Sequence, residues 1–507
     1  MTLDHWIVNA AARTPEKPAL ISDSGALTYR EFASRIDRRS RELAGAGTVA
    51  GDRVAWYGLN NPEVFVLLFA CARLGGIFVP LNWRLADAEI AAVVADCEPR
   101  ILVHDGHFRD EARALSDVAV ISADDPMPAT RPCPPHAAGE DAPILIVYTS
   151  GSTGSPKGTV LTQKALACNA AMSIEAHDLR AGSRVLNVLP TFHVGGLNIL
   201  PVPAFRIGAT VLLHERFDST AACRALGNVT HAITVPTVLQ GIINDGGWNH
   251  VDLSGLRTIS IGSTDVPLPL VQTVQSRGVP VTQIYGATET GPFAIYQRVD
   301  EAVATTGSIG RAGSQCAVRL VRDGLDVSDG KPGEIWVRGD NVMTKYWRNP
   351  GLTADALRGG WFRTGDIARR DGRGLYWFVD RIKHVIISGG ENIYPAEIER
   401  ILRDIPGVSE VAVVGVPDPK WGESPVAVVA AECGMTADAV LAPLAGRIAR
   451  YKHPKSVVFV DALPRNAMGK VIVDRVRERI PDRPVTGDEP HGDGRRSATL
   501  SDFPEKR

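Results

Sequence analysis

The stretch Tyr148–Gly158, YTSGSTGSPKG, gathers residue types that a packed core has no use for and a polyphosphate does. Thr149, Ser150, Ser152 and Thr153 offer hydroxyls, and Gly151, Gly154 and Gly158 free the backbone to turn N–H groups toward phosphate oxygens. Lys157 adds a positive charge. The spacing is not that of the P-loop of nucleotide hydrolases, which needs Gly, four residues, Gly-Lys and then a Ser or Thr for magnesium. Counting from Gly151, Pro156 stands where the second glycine belongs and Gly158 where the magnesium hydroxyl belongs. The alternative is a plain Gly/Ser surface loop, the usual fate of such clusters. Against it stands the apolar run APILIVY, which reads as a buried strand and puts the loop at a strand's C-terminal end, where open α/β sheets bind ligands.

Four further sets of residues could do chemistry. Glu289, in YGATETG (Tyr285–Gly291), follows the strand-like VTQI, and with Thr288 and Thr290 beside it supplies hard oxygens suited to magnesium. An isolated glutamate there would instead be a solvated turn acid. Asp366, in GWFRTGDI, can present both carboxylate oxygens to vicinal hydroxyls, as an acidic residue does when it reads a ribose. Lys470, in LPRNAMGKV, supplies the cation that two approaching anions require, although a lone lysine is usually only solvated. His193, in LPTFHVGGLN, taken alone is more often a structural hydrogen-bonding residue than a catalyst.

Taken together, and in this order along the chain to about residue 480, these motifs resemble those of the acyl-adenylate-forming superfamily, which includes acyl-CoA synthetases, peptide-synthetase adenylation domains and luciferases. The resemblance implies an AMP-forming acyl-CoA synthetase that uses ATP, Mg2+ and CoA. A carboxylate attacks the α-phosphate and releases pyrophosphate, and the CoA thiol then displaces AMP. It implies an ATP site made of Thr149, Ser150, Gly151, Ser152, Thr153, Gly154, Lys157, Tyr285, Gly286, Ala287, Thr288, Glu289, Asp366, Arg381 and Lys470. Within it, Tyr285 lies beside adenine, Thr153 and Glu289 serve the metal, and Asp366 and Arg381 hold the ribose. Lys470 and His193, with Glu289, become the catalytic residues, Lys470 reaching the substrate carboxylate and α-phosphate. Lys383 matches the family's hinge, and Ser388, Gly389 and Gly390 the loop that lines the pantetheine tunnel during thioester formation.

For the acyl pocket the resemblance implies His193, Val194, Gly195, Asn198, Thr234, Val238, Ser263, Thr264, Gly286 and Gly291. Ser263, Thr264 and Asp265 depart from the Gly-Gly-Ala-Pro or Gly-Ser-Ala-Pro of many relatives. The stretches Leu189–Asn198, Thr234–Leu239 and Gly262–Val266 contain no Arg or Lys, which disfavours a dicarboxylate, whose second charge would need a partner. A hydrophobic monocarboxylate is expected, either a fatty acid or an aryl acid such as ferulate. Asp265, if it faces the pocket, could accept a bond from a phenolic hydroxyl. Two rival functions are a stand-alone adenylation enzyme that loads a carrier protein and a non-enzymatic nucleotide-binding homologue.

The elements that must position these residues fall into three regimes. From Arg184 to Gly286, apolar runs (RVLNVLP, ATVLLH, HAITVP, RTISIGS, VTQIYG) alternate with helix-like segments, the pattern of a parallel sheet flanked by helices. CAVRLVRDGLDVSDGKPGEIWVRG then reads as hairpins of a small β subdomain. After GLYWFV, about a hundred residues mix helix and strand, enough for a compact α+β domain. The expected fold is therefore α/β: a large N-terminal domain of parallel α/β subdomains plus a small β subdomain (1–380), a small mobile α+β C-terminal domain (381–480), and a disordered, Pro- and charge-rich tail (481–507).

Composition excludes several classes. The 507 residues are ample for more than one domain. With 55 Lys and Arg against 57 Asp and Glu, nothing global attracts nucleic acid or anionic membrane. The run VFVLLFACA (Val64–Ala72) falls short of the roughly 20 residues of a membrane span and reads as a buried helix. Seven cysteines without a CxxC pair argue against disulfides and zinc. With no signal-peptide pattern at the N-terminus, a cytoplasmic enzyme is expected, with a homodimer as its assembly.

Overall fold

The computed structural model describes residues 2–115, 118–125, 138–150, 156–262, 266–388, 391–418, 421–466 and 470–481, with Ser150 described by its backbone alone. The chain divides into two compact units: Met1–Arg319, Trp336–Thr364 and Arg370–Trp377 form the first, and Leu320–Ile335, Gly365–Arg369 and the chain from Phe378 onward the second.

The first unit is built on two sheets. The alternation after Arg184 does fold as a parallel array, in the order Val281–Tyr285, Thr258–Gly262, His231–Thr234, Arg184–Asn187, Thr210–Leu213 and Pro18–Ser22. Antiparallel strands close both edges, Gly25–Thr28 on one side and Ile295–Tyr296 with Arg311–Ala312 on the other. STAACRAL and LPLVQTVQ, from the segments expected to be helical, form Ser219–Leu226 and Leu268–Gln275.

The second sheet runs Lys345–Tyr346, Pro156–Thr162, Pro143–Ser150, Ile77–Pro80, Arg53–Tyr57, Ile101–His104, Ala119–Ser122. The apolar run near residue 64 forms the helix Pro62–Leu74, started by the Asn61 cap and a first-turn proline and ended by Gly75 at φ 76°. Val64 to Ala72 are buried without interruption, so this helix has no solvent face. Phe65 and Phe69 meet Phe205 at ring distances of 5.1 and 6.0 Å, and Phe32 packs on both Phe69 and Phe205. Each such side chain contributes about 1.5–3 kcal/mol of burial.

The second unit folds around the long hairpin Val408–Asp418 and Gly422–Ala431, with Ile386–Ser388 and Glu391–Ile393 extending the sheet and Ser456–Phe459 added in parallel. Alternation along Val411–Val414 sends Val411 and Val413 toward Ile398, Ile401 and Leu402 of the helix Pro395–Arg403. Ala412 and Val414 pack with Val428, Val460 and Val476 on the other face. Among the described residues no helix is long and apolar enough to cross a membrane.

Candidate active site

The phosphate-loop motif is the tip of a hairpin. Pro143–Ser150 and Pro156–Thr162 pair antiparallel, with Thr149 opposite Lys157 and Ser150 opposite Pro156. Gly151, Ser152, Thr153 and Gly154 lie outside the described residues. The base of the hairpin is anchored on both sides. The Tyr148 hydroxyl donates to Asp96 at 2.5 Å, and Lys345–Tyr346 pairs with Val160 and Thr159. Thr149 Oγ1 is buried and has no hydrogen-bond partner among the described residues, an unusual state for a hydroxyl and one suited to a ligand-binding position.

Lys157 projects from this hairpin to Glu289, its ammonium 3.0 Å from Oε1. The Tyr346 hydroxyl donates to the same oxygen at 2.6 Å and lies 3.2 Å from the lysine. Glu289 is largely buried in the short 3-10 turn Thr288–Thr290 that follows the strand Val281–Tyr285, so the strand-exit geometry read from VTQIYGATETG holds. Gly286 is required here because a Cβ would fall 1.6 Å from the Pro292 carbonyl oxygen. Tyr285, Ala287 and Thr288 are half-buried.

Three fully buried asparagines clamp this turn. Asn341 Nδ2 donates to the carbonyls of Thr290 and Phe293 at 3.0 and 2.7 Å. Asn198 Nδ2 donates to Gly291 O at 3.2 Å, and Asn169 accepts from Phe293 N at 3.2 Å while donating to Asn198 O at 2.7 Å. The Glu289 carbonyl is satisfied by Met343 N at 2.8 Å. A segment held by this many buried bonds gives its carboxylate a fixed origin.

Of the residues expected at the acyl pocket, Asn198 and Gly291 are brought together by that clamp. Thr234 instead donates to Ser260 O at 3.1 Å, joining two strands of the parallel array, while Val238 is half-buried on the helix Pro236–Ile243. His193 precedes the short helix Val194–Asn198, its ring 4.6 Å from that of Phe192. Burial and the neighbouring Arg84 push His193 down to about 3, so it is neutral at physiological pH. Arg84 lies over Trp83 at 5.0 Å and Phe192 at 5.8 Å, a cation beside His193 that the local stretches gave no sign of. Gly195 is half-buried in this helix, and Ser263, Thr264 and Asp265 lie outside the described residues.

The second unit brings together the residues expected at ribose and carboxylate. Asp366 sits in the strand Trp361–Arg370 and Arg381 ends Tyr376–Arg381, with Arg381 Nε 3.3 Å from Asp366 Oδ1. Lys470 is tied to Asn466: Asn466 N donates to Lys470 O at 2.9 Å and Lys470 N to Asn466 Oδ1 at 3.0 Å. Burial, then Arg381, and Lys383 further on, lower its ammonium to about 8, against the opposing pull of Asp366. Asp380 ties the segment down: Oδ1 accepts from Arg381 N at 2.7 Å and Oδ2 from Ala396 N at 2.8 Å, at the start of the helix Pro395–Arg403. Lys383 is exposed in the turn Ile382–His384, Ser388 ends the strand Ile386–Ser388, and Gly389 and Gly390 lie outside the described residues.

Among the described residues no group of three His, Cys, Asp or Glu side chains could hold a metal ion. One buried carboxylate with a lysine beside it fits a magnesium that arrives already held by nucleotide phosphates, the ion's usual mode of binding.

Comparison with known proteins accords with this geometry. Residues 7–347 match the family model of AMP-binding enzymes, and residues 397–470 match that of the AMP-binding enzyme C-terminal domain. The chain is 46% identical over 505 residues to the indoleacetate–CoA ligase of Aromatoleum aromaticum, covering 95% of this chain and 98% of that one. It is 40% identical to a feruloyl-CoA synthase of an Amycolatopsis species, covering 94% and 99% of the two chains. The o-succinylbenzoate coenzyme A synthetase of Bacillus subtilis, solved in complex with ATP and magnesium ion, superposes with a TM-score of 0.84 at 31% identity over 93% of this chain and 99% of that one. With family models spanning both ends of the chain and CoA ligases as its relatives, the chain belongs to the AMP-binding enzyme family and is an AMP-forming acyl-CoA synthetase, an acid–thiol ligase.

Proposed function

We propose that the enzyme activates an aryl-substituted monocarboxylate, of the arylacetate or hydroxycinnamate type, and transfers it to CoA. The 46% identity to an indoleacetate ligase and 40% to a feruloyl synthase support an aromatic side chain over an aliphatic one. Leu189–Asn198 and Thr234–Leu239 contain no Arg or Lys, and Arg84 beside His193 brings one cation, a match for one carboxylate.

In the first half-reaction a carboxylate oxygen bonds to the α-phosphorus of ATP, the bond from that phosphorus to the β-bridging oxygen breaks, and pyrophosphate leaves. Lys157, with the loop 149–154, holds the β- and γ-phosphates. Glu289 and Thr153 hold the magnesium, which neutralises phosphate charge when bound. Tyr285 with Gly286, Ala287 and Thr288 cradles the adenosine, and Asp366 with Arg381 takes the ribose hydroxyls. Lys470 stabilises the crowding of the carboxylate against the α-phosphate, and the observation that carries this role is its half-buried place in the unit that holds the Arg381–Asp366 pair. In the second half-reaction the CoA sulfur bonds to the acyl carbon, the thiol proton is lost to solvent and AMP leaves. His193 lines the approach, and Lys383 with the loop 388–390 provides the change of arrangement.

This reading treats 1–380 as the adenylate-forming domain, 381–480 as a mobile C-terminal domain and 481–507 as a tail. It takes the enzyme to be a cytoplasmic homodimer with no nucleic-acid partner. A panel of indole-3-acetate, ferulate, cinnamate and octanoate, followed by pyrophosphate release with and without CoA, tests the substrate. The aryl acids should give the highest kcat/KM, with thioester formed only when CoA is present. Preference for octanoate would overturn the aryl assignment.

A further inference from the structure

Tyr346 belongs to none of the sequence motifs, yet it makes the shortest side-chain bond to Glu289. Its hydroxyl donates to Glu289 Oε1 at 2.6 Å, while the Lys157 ammonium lies 3.0 Å from the same oxygen and 4.7 Å from the centre of the Tyr346 ring. Both donors therefore fall on Oε1, and neither uses Oε2. The ring is firmly placed. Tyr346 is 3% exposed, its backbone N donates to Thr353 Oγ1 at 3.0 Å, and it pairs with Thr159 on the strand that carries Lys157.

The two donors differ in kind. Lysine is a point charge on a flexible stem that can bridge either oxygen, and it must leave Glu289 when phosphate competes for it. A buried phenol on a fixed ring has no such alternative, and stays on Oε1. We propose that Tyr346 is a positioning residue for metal–nucleotide binding. Its hydroxyl pins Glu289 through Oε1 so that Oε2 is kept for the magnesium delivered with ATP, and its ring face holds Lys157 nearby until phosphate takes it. The inference rests on the reading of Glu289 as the magnesium ligand.

The test measures ATP binding to the full-length enzyme by calorimetry across a magnesium titration, with no acid present, so that no turnover occurs. Tyr346→Phe keeps the ring and removes the donor. It should raise the magnesium concentration for half-maximal ATP binding roughly tenfold, as loss of a partner to a metal ligand does. p-Aminophenylalanine introduced at Tyr346 restores an N–H donor of similar size and should restore the parent value. Should Tyr346→Phe fail to fold, 4-fluorophenylalanine at the same position fills the hydroxyl's space without a donor and carries the same expectation. Glu289→Gln is measured alongside. If it shifts the magnesium requirement while the donor-free Tyr346 variants match the parent, Tyr346 only packs and the inference is overturned while the site reading stands. If Glu289→Gln also matches the parent, the reading of Glu289 fails and takes the inference with it. Equal shifts for p-aminophenylalanine and phenylalanine would likewise overturn the inference, because the hydrogen bond would not be the cause.

Discussion

Arg381 Nε lies 3.3 Å from Asp366 Oδ1, so the two residues proposed to bind the ribose hold one another. Both keep some exposure, the Arg381 side chain at 32% and the Asp366 side chain at 13%, which leaves the pair open to a ligand that must share the carboxylate. An ion pair of this kind presets the geometry of the aspartate, and its loss leaves the partly exposed Arg381 guanidinium to water instead of buried and unpaired.

Asp366→Ala should therefore weaken ATP much more than it weakens the fold. Loss of hydrogen bonds from a charged acceptor to the ribose should raise the KM for ATP about 10- to 100-fold. Thermal unfolding should move little. Steady-state kinetics with varied ATP, and a melting curve of the same preparation, check both halves. A large fall in melting temperature with unchanged KM would assign Asp366 to structure alone.

The asparagine clamp makes a contrasting prediction. Asn341→Ala strips two buried carbonyls, Thr290 O and Phe293 O, of their donor. Each orphaned acceptor costs about 1–3 kcal/mol. Urea denaturation should show that loss, and kcat should fall with it because Glu289 sits on the loosened turn. Stability at the parent level would show that the clamp is dispensable.

Asp380 gives a pH dependence with a definite sign. Burial raises its carboxyl from 3.8 to about 6, against the bonds from Ala396 and Arg381 that lower it. A group whose pKa is higher in the folded state contributes stability that is complete below the unfolded value and lost as pH rises through the folded one. Between about pH 4 and 6 the parent should lose stability that Asp380→Asn does not lose. Paired urea titrations at the ends of that window measure the difference, and parallel curves would contradict the assignment.

Lys470 should set the alkaline limb of adenylation. With its ammonium held near 8, the charge that stabilises the carboxylate and α-phosphate is present below that pH and is lost above it. Pyrophosphate release under single-turnover conditions should fall as pH rises through about 8. Lys470→Arg, which stays charged, should abolish that limb even where it lowers the rate.

What the sequence made legible follows from the range of the signals. The parallel array from Arg184 to Tyr285, the buried helix at Pro62–Leu74 and the strand before the phosphate loop are written in local runs of side chains, and each forms where the runs place it. So is the position of Glu289 at a strand exit. The partners of Glu289 were not legible. Tyr346 lies 57 residues from Glu289 and Lys157 lies 132, while Asn341 lies 51 from Thr290, so no periodicity links them. The bond from the Asn198 amide to Gly291, 93 residues away, was equally out of reach of a local reading. Asp380 enters the sequence reading only as the end of the first domain, although its bond to Ala396 caps the following helix. Arg84 was missed for a similar reason, since its contact with Phe192 crosses more than a hundred residues.

The central claim is that Lys470 serves adenylation and not thioester formation. The direct measurement uses Lys470→Ala in both half-reactions: pyrophosphate release from ATP and the aryl acid, and thioester formation from presynthesised acyl-adenylate and CoA. The account predicts that the first falls about 10²- to 10³-fold, as on removal of one preorganised electrostatic stabiliser, while the second stays near the parent rate. Equal collapse of both half-reactions would contradict it.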